Sequence, residues 1–571
     1  STRLTRESFS GSRVGRADLS LVETSDGLQV VFDGRALYDA RPASGAARKA
    51  RSLPVQAQTL YLVPSPVAWH GVLKLLSRIS DDSAILAVES EPVLLELARR
   101  LRPVELSGPE VMLCAADANS VRAALGSSAT DRTGLGRFRR VREITLCRGA
   151  LINRSRYREI REELEQDIRI VWQNRLTLSA MGRLWVGNVI RNLPCLSGAA
   201  VLPALHGAVV VCGAGPSLSA SVPLLRDERR GLTILAVDTA LPSLVQSGVT
   251  PDFVIAIEGQ LANLYDFLPV GGRDYTLVAD LSSAPSVIEL HDPARVVWVS
   301  SRFADLGLLD RIAAAGLPLR TIPPLGSVGV AAAEIAFSLT DGPVLFAGLD
   351  FAFRSATHVR GAPAHLSQLI RGQRLRNTPP PDLAGRWLER RGADGRPVST
   401  TLAMIGYAEQ LSALVRADAA TGRSVFAVEP FGLETGAEAV TVGQAGTVAG
   451  RAATESPGPR QPGQRGLTPN GQSQHHVHQI ERLLGGELEL LDRLGSLVNV
   501  AVAADDTPER DPALEDAFEL CDYVAVDFPD LPDLRPFTGK LHTNRAFLTR
   551  MRVAIDFYRD RLDRSLRYLR S

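Results

Sequence analysis

Lysine is nearly absent: Lys49, Lys74 and Lys540 are the only lysines among 64 basic residues. Arginine binds oxyanions through a planar fork of donors, so the composition disfavours lysine-based phosphate chemistry and leaves bidentate pairing available. Cysteine is sparse too, and the five residues Cys114, Cys147, Cys195, Cys212 and Cys521 are odd in number, widely spaced and never in a C-x-x-C pair. This argues against a disulfide framework or a zinc site and for a reducing compartment. No run of about 18 apolar residues occurs, so no membrane-spanning helix is expected. Residues 1–20 are polar and arginine-bearing, without the apolar core of a signal peptide, and the expected location is cytoplasmic. A charge surplus is also missing, since 64 Lys+Arg face 63 Asp+Glu. No global field draws the chain to nucleic acid, and any polyanion site must be local.

What is present is a long chain of ordinary globular composition, 571 residues with 45% hydrophobic and 22% charged, enough for about three or four domains. Short β-branched runs alternate with helix-period segments over about 28–428, the signature of parallel sheets covered by helices, so the fold class is α/β. Residues 1–150 read as a smaller N-terminal α/β domain with strands at Leu60–Val63, Ala84–Val88, Val111–Cys114 and Ile144–Cys147. Its first strand runs into Pro64-Ser65-Pro66, not into glycines, so a scaffold or docking role fits it better than cofactor binding. A helical spacer covers 151–204, a Rossmann-like parallel-sheet central domain 205–433, a flexible Gly- and Pro-rich linker 434–478, and a helical C-terminal region 479–571.

The chemistry concentrates in the central domain. The buried strand ending at Cys212 runs into Gly213-Ala214-Gly215-Pro216-Ser217-Leu218, a turn that hands over to a helix. Glycines there let backbone N–H groups approach an anion, and the helix N-terminus adds a favourable dipole. The turn is neither Gly-x-Gly-x-x-Gly nor a phosphate loop ending in Gly-Lys-Ser/Thr, which disfavours a plain nicotinamide or NTPase site. Asp238 and Glu258 close the next two strands, where two acids can bind a ribose or sugar hydroxyl, hold a divalent metal on a nucleotide, or cap helices. Gly326-Ser327 opens a second anion-ready helix. Asp350 follows a further buried strand, and the loop residue His358 is the candidate general base, with His365 a competitor. Arg354 and Arg360 flank that loop, either to pair a substrate carboxylate or as solvated residues. The tract His475-His476-Val477-His478 has no acidic or cysteine partner in sequence, and no metal site is assigned.

Taken together, Gly213-x-Gly215-Pro216-Ser217-Leu218, Asp238 with Pro251-Asp252 and Glu258-x-Gln260, and Gly326-Ser327 with Gly348-Leu349-Asp350-Phe351-Ala352 and Thr357-His358 resemble the motility-associated factor (Maf) glycosyltransferase family. That family shares its central domain with archaeal 6-hydroxymethylpterin diphosphokinase-like (MptE-like) proteins. The resemblance covers chiefly about 205–435. It implies transfer of a nonulosonic, sialic-like acid from a CMP-sugar donor to Ser/Thr of flagellin, in a motility context. Carried over by position, Gly213, Gly215, Pro216, Ser217 and Leu218 would line the CMP phosphate and ribose, with Gly326 and Ser327 as a second anion contact. Asp238 would neighbour nucleotide or sugar, and His358, Asp350 and Glu258 would be catalytic. No resident cofactor is firmly implied beyond the donor, though Mg²⁺ is compatible. The alternatives are ATP-dependent pyrophosphoryl transfer and a non-catalytic flagellar-assembly binding protein. The diphosphokinase pattern has a carboxylate pair where this chain reads Glu258-Gly259-Gln260, and an amide binds a hard cation less well.

Overall fold

The computed structural model describes residues 4–5, 18–126, 135–202, 204–205, 207–227, 232–270, 274–354, 358–363, 387–455, 473–503, 512–528 and 545–571. The chain divides into two compact units, Ser1–Ala180 with Leu497–Arg552, and Met181–Ser496 with Val553–Ser571.

The first unit contains the expected parallel sheet. Its strands lie in the order Val111–Ala115, Ala84–Glu89, Thr59–Pro64 and Arg140–Glu143. The fourth strand sits earlier than the sequence predicts. Ile144, Leu146 and Cys147 are buried, but pairing with Thr59–Leu62 runs through the more polar Arg140–Glu143. Being an edge strand with one neighbour, it needs less apolar character than an interior one. A second, antiparallel sheet of Leu4–Thr5, Leu19–Thr24, Gly27–Phe32 and Arg35–Ala36 was not anticipated.

The second unit is built on a nine-stranded, all-parallel sheet. Across it the strands begin at residues 319, 296, 276, 253, 232, 208, 344, 425 and 438. Interior strands covered on both faces read as unbroken apolar runs, and Ala208-Val209-Val210-Val211-Cys212 has no residue more than 1% exposed. At roughly 1.5–3 kcal/mol for each fully buried Val, this strand is a main contributor to the core. The chain winds outward from 208 to 319 and then returns to place strand Val344–Ala347 on the other side of Ala208–Cys212. Strand order therefore reverses between these two. Right-handed crossovers put the helices of the two windings on opposite faces. Helix Leu218–Asp227 packs with Val442–Glu455, and helix Val328–Leu339 with Leu402–Asp418.

The expected flexible linker 434–478 needs correcting. Glu438–Val440 is the ninth strand, and Val442–Glu455 is a helix whose Ala445, Ala449 and Ala452 are buried in the sheet core. Small residues that look like linker composition here allow close helix-to-sheet packing. The histidine tract lies inside helix Ser473–Ala503, with His476 buried. The remaining C-terminal segment is helical as expected, with helices Pro512–Leu520 and Arg545–Arg570. Among the described residues, no helix is long and apolar enough to cross a membrane.

Candidate functional site

Open parallel sheets bind ligands beyond the carboxyl ends of their strands, where the strand order reverses. In this molecule that place is the gap between Cys212 and Ala347, and the two motif turns meet there. Gly213 N–H donates to Ala347 O at 2.8 Å and Gly215 N–H to Gly348 O at 2.9 Å. Ser217 N–H donates to Asp350 Oδ2 at 2.9 Å, and Leu218 N–H to Gly215 O at 3.1 Å. Gly348 has φ +72, a left-handed conformation that glycine adopts without steric cost, and a Cβ on Gly215 would collide with Asp350 Oδ2 and lie 2.6 Å from Gly348 O.

These contacts correct the expected phosphate cradle. The amides of Gly213, Gly215, Ser217 and Leu218 are already bonded within the protein, and the anion at the start of helix Leu218–Asp227 is the carboxylate of Asp350. Asp350 is 4% exposed, and burial pushes its pKa up to about 6 against the pull of the Ser217 hydrogen bonds and Arg354. Expected as catalytic, it is in this geometry an internal helix cap that latches the two turns. The cavity beside it, lined by Ser217, Gly348, Asp350 and Gly432 among others, holds about 10 Å³, room for roughly one water.

The second helix start also differs from expectation. Ser327 caps helix Val328–Leu339 by accepting from Gly329 N–H at 3.2 Å. The half-buried Leu349 lies between the two starts, its Cδ2 being 2.6 Å from a Cβ built on Gly213 and 2.7 Å from one built on Gly329. The two beginnings share one rim but do not close on a common anion, because a leucine separates them.

His358 does reach this rim. Its neighbour Val359 donates its N–H to Ala214 O at 2.9 Å, and Ser243 Oγ donates to Arg360 O at 2.9 Å, so residues 358–363 fold between the glycine turn and helix Leu241–Gln246. His358 itself is half-buried. Arg354 is engaged elsewhere, paired with Asp394 at 2.5 Å and set over the Phe431 ring. Thr357 and His365 lie outside the described residues.

The acids form a second group one and two strands along. Asp238 is 3% exposed. Its Oδ1 accepts from Thr239 N–H at 2.7 Å, and its Oδ2 from Asn263 Nδ2 at 2.7 Å. Asn263 Nδ2 also reaches Asp266 Oδ2 at 3.3 Å. Burial, then the charge of Asp238, raises both Glu258 and Asp266, the latter to about 7. Burial likewise raises Asp238. Glu258 is exposed, and its charge acts on Tyr407, whose ring lies 2.6 Å from a Cβ built on Gly326. Gln260 is exposed, and its Nε2 lies 3.9 Å from Met181 Sδ. Behind Glu258, Asn188 Nδ2 donates to Gly259 O at 3.0 Å and Ser282 O at 2.9 Å, and Asn192 Nδ2 to Leu281 O and Ser283 O at 2.9 Å each.

Sequence reasoning missed Asn263, Asp266, Tyr407, Asn188 and Asn192. The Asn263-x-x-Asp266 spacing, which puts two polar side chains on one face of a helical turn, was a usable signal. The asparagines fall in the helix Arg154–Asn192 that was read as a spacer. Among the described residues no group of three or more His, Cys, Asp or Glu is placed to hold a metal ion. Within this acid group Asp266 is raised to about 7, and Asp238 and Glu258 shift in the same direction.

Comparison with known proteins places these features. Residues 188–356 match the family model "6-hydroxymethylpterin diphosphokinase MptE-like". Two uncharacterized proteins of Treponema pallidum (strain Nichols) are similar. One is 27% identical over 356 residues, covering 60% of this chain and 61% of the relative. The other is 32% identical over 121 residues, covering 20% and 58%. The chain thus spans about three fifths of the curated relatives it matches. Among solved structures, the Maf glycosyltransferase from Magnetospirillum magneticum AMB-1 aligns with TM-score 0.58 and 14% identity, covering 97% of this chain and 92% of that one. Residues 188–356 of this chain thus resemble an MptE-like domain, and over nearly its whole length the chain shares the fold of that Maf glycosyltransferase.

Proposed function

We propose that this chain is a glycosyltransferase that moves a nonulosonic acid from a CMP-sugar to a Ser or Thr hydroxyl of a flagellin-type protein in the cytoplasm. The observation that carries the reading is the extent of the fold likeness. It spans 97% of the chain, far beyond the 188–356 segment that an MptE-like domain alone would account for.

In this reading the donor lies along the carboxyl rim from His358 to Glu258. Glu258 accepts hydrogen bonds from sugar or ribose hydroxyls, while buried Asp238, held by Thr239 and Asn263, raises the pKa of Glu258. His358 takes the proton from the acceptor Oγ as that oxygen bonds the anomeric carbon and the bond from that carbon to the CMP phosphate oxygen breaks, releasing CMP. The donor brings its own good leaving group, so positioning and one base suffice. Asp350 acts through Ser217 as a positioning residue.

The test is CMP release from a CMP-nonulosonate in the presence of a flagellin acceptor. His358→Ala is expected to lose activity by a factor of about 10² to 10⁴ while CMP still stabilises the fold. A CMP thermal shift at a hundred times the Kd corresponds to about 2.7 kcal/mol. AMP release from ATP and a pterin, with no response to CMP, would replace this reading with pyrophosphoryl transfer.

A further inference from the structure

A cavity of about 720 Å³ lies away from the rim, on the sheet face toward the amino end of strand Val296–Ser301. Its floor and sides include Ile288, Val296 and Trp298, and its opposite wall is the helix segment Asp560–Tyr568. The size is that of a drug-sized ligand site, and such sites are mostly apolar with a few placed polar groups.

Two polar groups line it, one without any hydrogen-bond partner and one without a salt bridge of its own. Trp298 is 1% exposed, and its indole Nε1–H has no hydrogen-bond partner. A buried donor left unpaired is destabilising, and an acceptor entering the cavity would relieve that cost. Arg561 forms no salt bridge among the described residues; Asp560 acts on it electrostatically but is salt-bridged to Arg564. The Arg561 guanidinium stacks on the Phe557 ring at 3.4 Å, which fixes the plane and leaves the donor edge free of a carboxylate. The other cations of the wall are already neutralised: Arg191 pairs with Glu289 at 2.6 Å and Arg564 with Asp560 at 3.0 Å. His291 is held between Tyr275 Oη and Val287 O, with its pKa lowered by burial. One planar cation without a salt bridge of its own and one orphan donor therefore line the chamber beside the apolar Ile288 and Val296.

We propose that this cavity is a second ligand site, separate from the transferase rim, which takes a small amphipathic organic carboxylate. Its carboxylate pairs with Arg561, its apolar body lies on Ile288 and Val296, and an oxygen accepts from Trp298 Nε1–H.

The test uses the full chain and three probes of equal chain length: decanoate, decanol and decyltrimethylammonium. Binding is read by calorimetry and by tryptophan fluorescence. Decanoate is expected to bind saturably, about tenfold or more tighter than decanol, with the cation not binding. Arg561→Gln should remove that preference, and Trp298→Phe should remove the fluorescence change while leaving CMP release intact. The wild-type probe series decides the matter even if a variant folds poorly. Equal affinity for decanoate and decanol, or no saturable binding of decanoate, overturns the proposal. Loss of transferase activity alone would leave this site standing, since the probes report on it directly.

Discussion

Replacing Asp350 with Asn tests the latch between the two motif turns. In the native protein the buried carboxyl has its pKa raised from an ordinary 3.8 to about 6, with burial as the dominant cause. A group whose pKa is higher folded than unfolded contributes stability that is complete below its unfolded pKa and is lost as pH climbs through its folded pKa. At about 1.36 kcal/mol per pH unit, the gap of roughly two units makes this contribution about 3 kcal/mol, lost between about pH 4 and about pH 7. Asn keeps an oxygen to accept the Ser217 N–H but cannot ionise, so Asp350→Asn removes this part of the pH dependence. Urea unfolding of both proteins should show native stability falling relative to the variant by about 3 kcal/mol across that range. A stability difference that stays constant with pH would refute the reasoning, because it would mean that Asp350 titrates alike in the folded and unfolded chains.

Further outcomes are expected. Asn192→Ala strips the donor from two buried carbonyls, those of Leu281 and Ser283. It should cost roughly 2–4 kcal/mol, read as a lowered thermal midpoint. Gly215→Ala drives a methyl into Asp350 Oδ2 and should destabilise by about 1–3 kcal/mol in urea melts. Glu258, raised by burial and by Asp238, should give an acid limb to the transfer rate, with activity falling as it protonates. Glu258→Gln should abolish that limb, and an unchanged pH–rate profile would exclude Glu258 from the chemistry.

Much of the fold was legible because interior parallel strands must be apolar throughout. Runs such as Ala208–Cys212 and Val344–Ala347 therefore stand out against any neighbouring sequence. Edge strands escaped for the converse reason: Arg140–Glu143 has a single apolar residue, and Glu438–Val440 is only three residues long. The helix Val442–Glu455 was hidden by alanine and glycine, whose small size looks like flexibility in composition but serves close packing in three dimensions. At the site, the glycine turn, the two acids and His358 could be located from strand ends alone. That the turn's amides are satisfied internally could not, because their acceptors come from Gly348 and Asp350, which no local pattern connects to residue 217.

The placement of strand Ala208–Cys212 at the centre of the sheet affects how the chain is made. One of its partners follows soon after, but the other, Val344–Ala347, lies more than a hundred residues downstream. Until that segment leaves the ribosome, an all-valine middle is an open flank with unpaired backbone groups, the kind of surface that recruits wrong neighbours. Truncations ending before residue 344 should therefore emerge as chaperone clients or precipitate, while those retaining it should not.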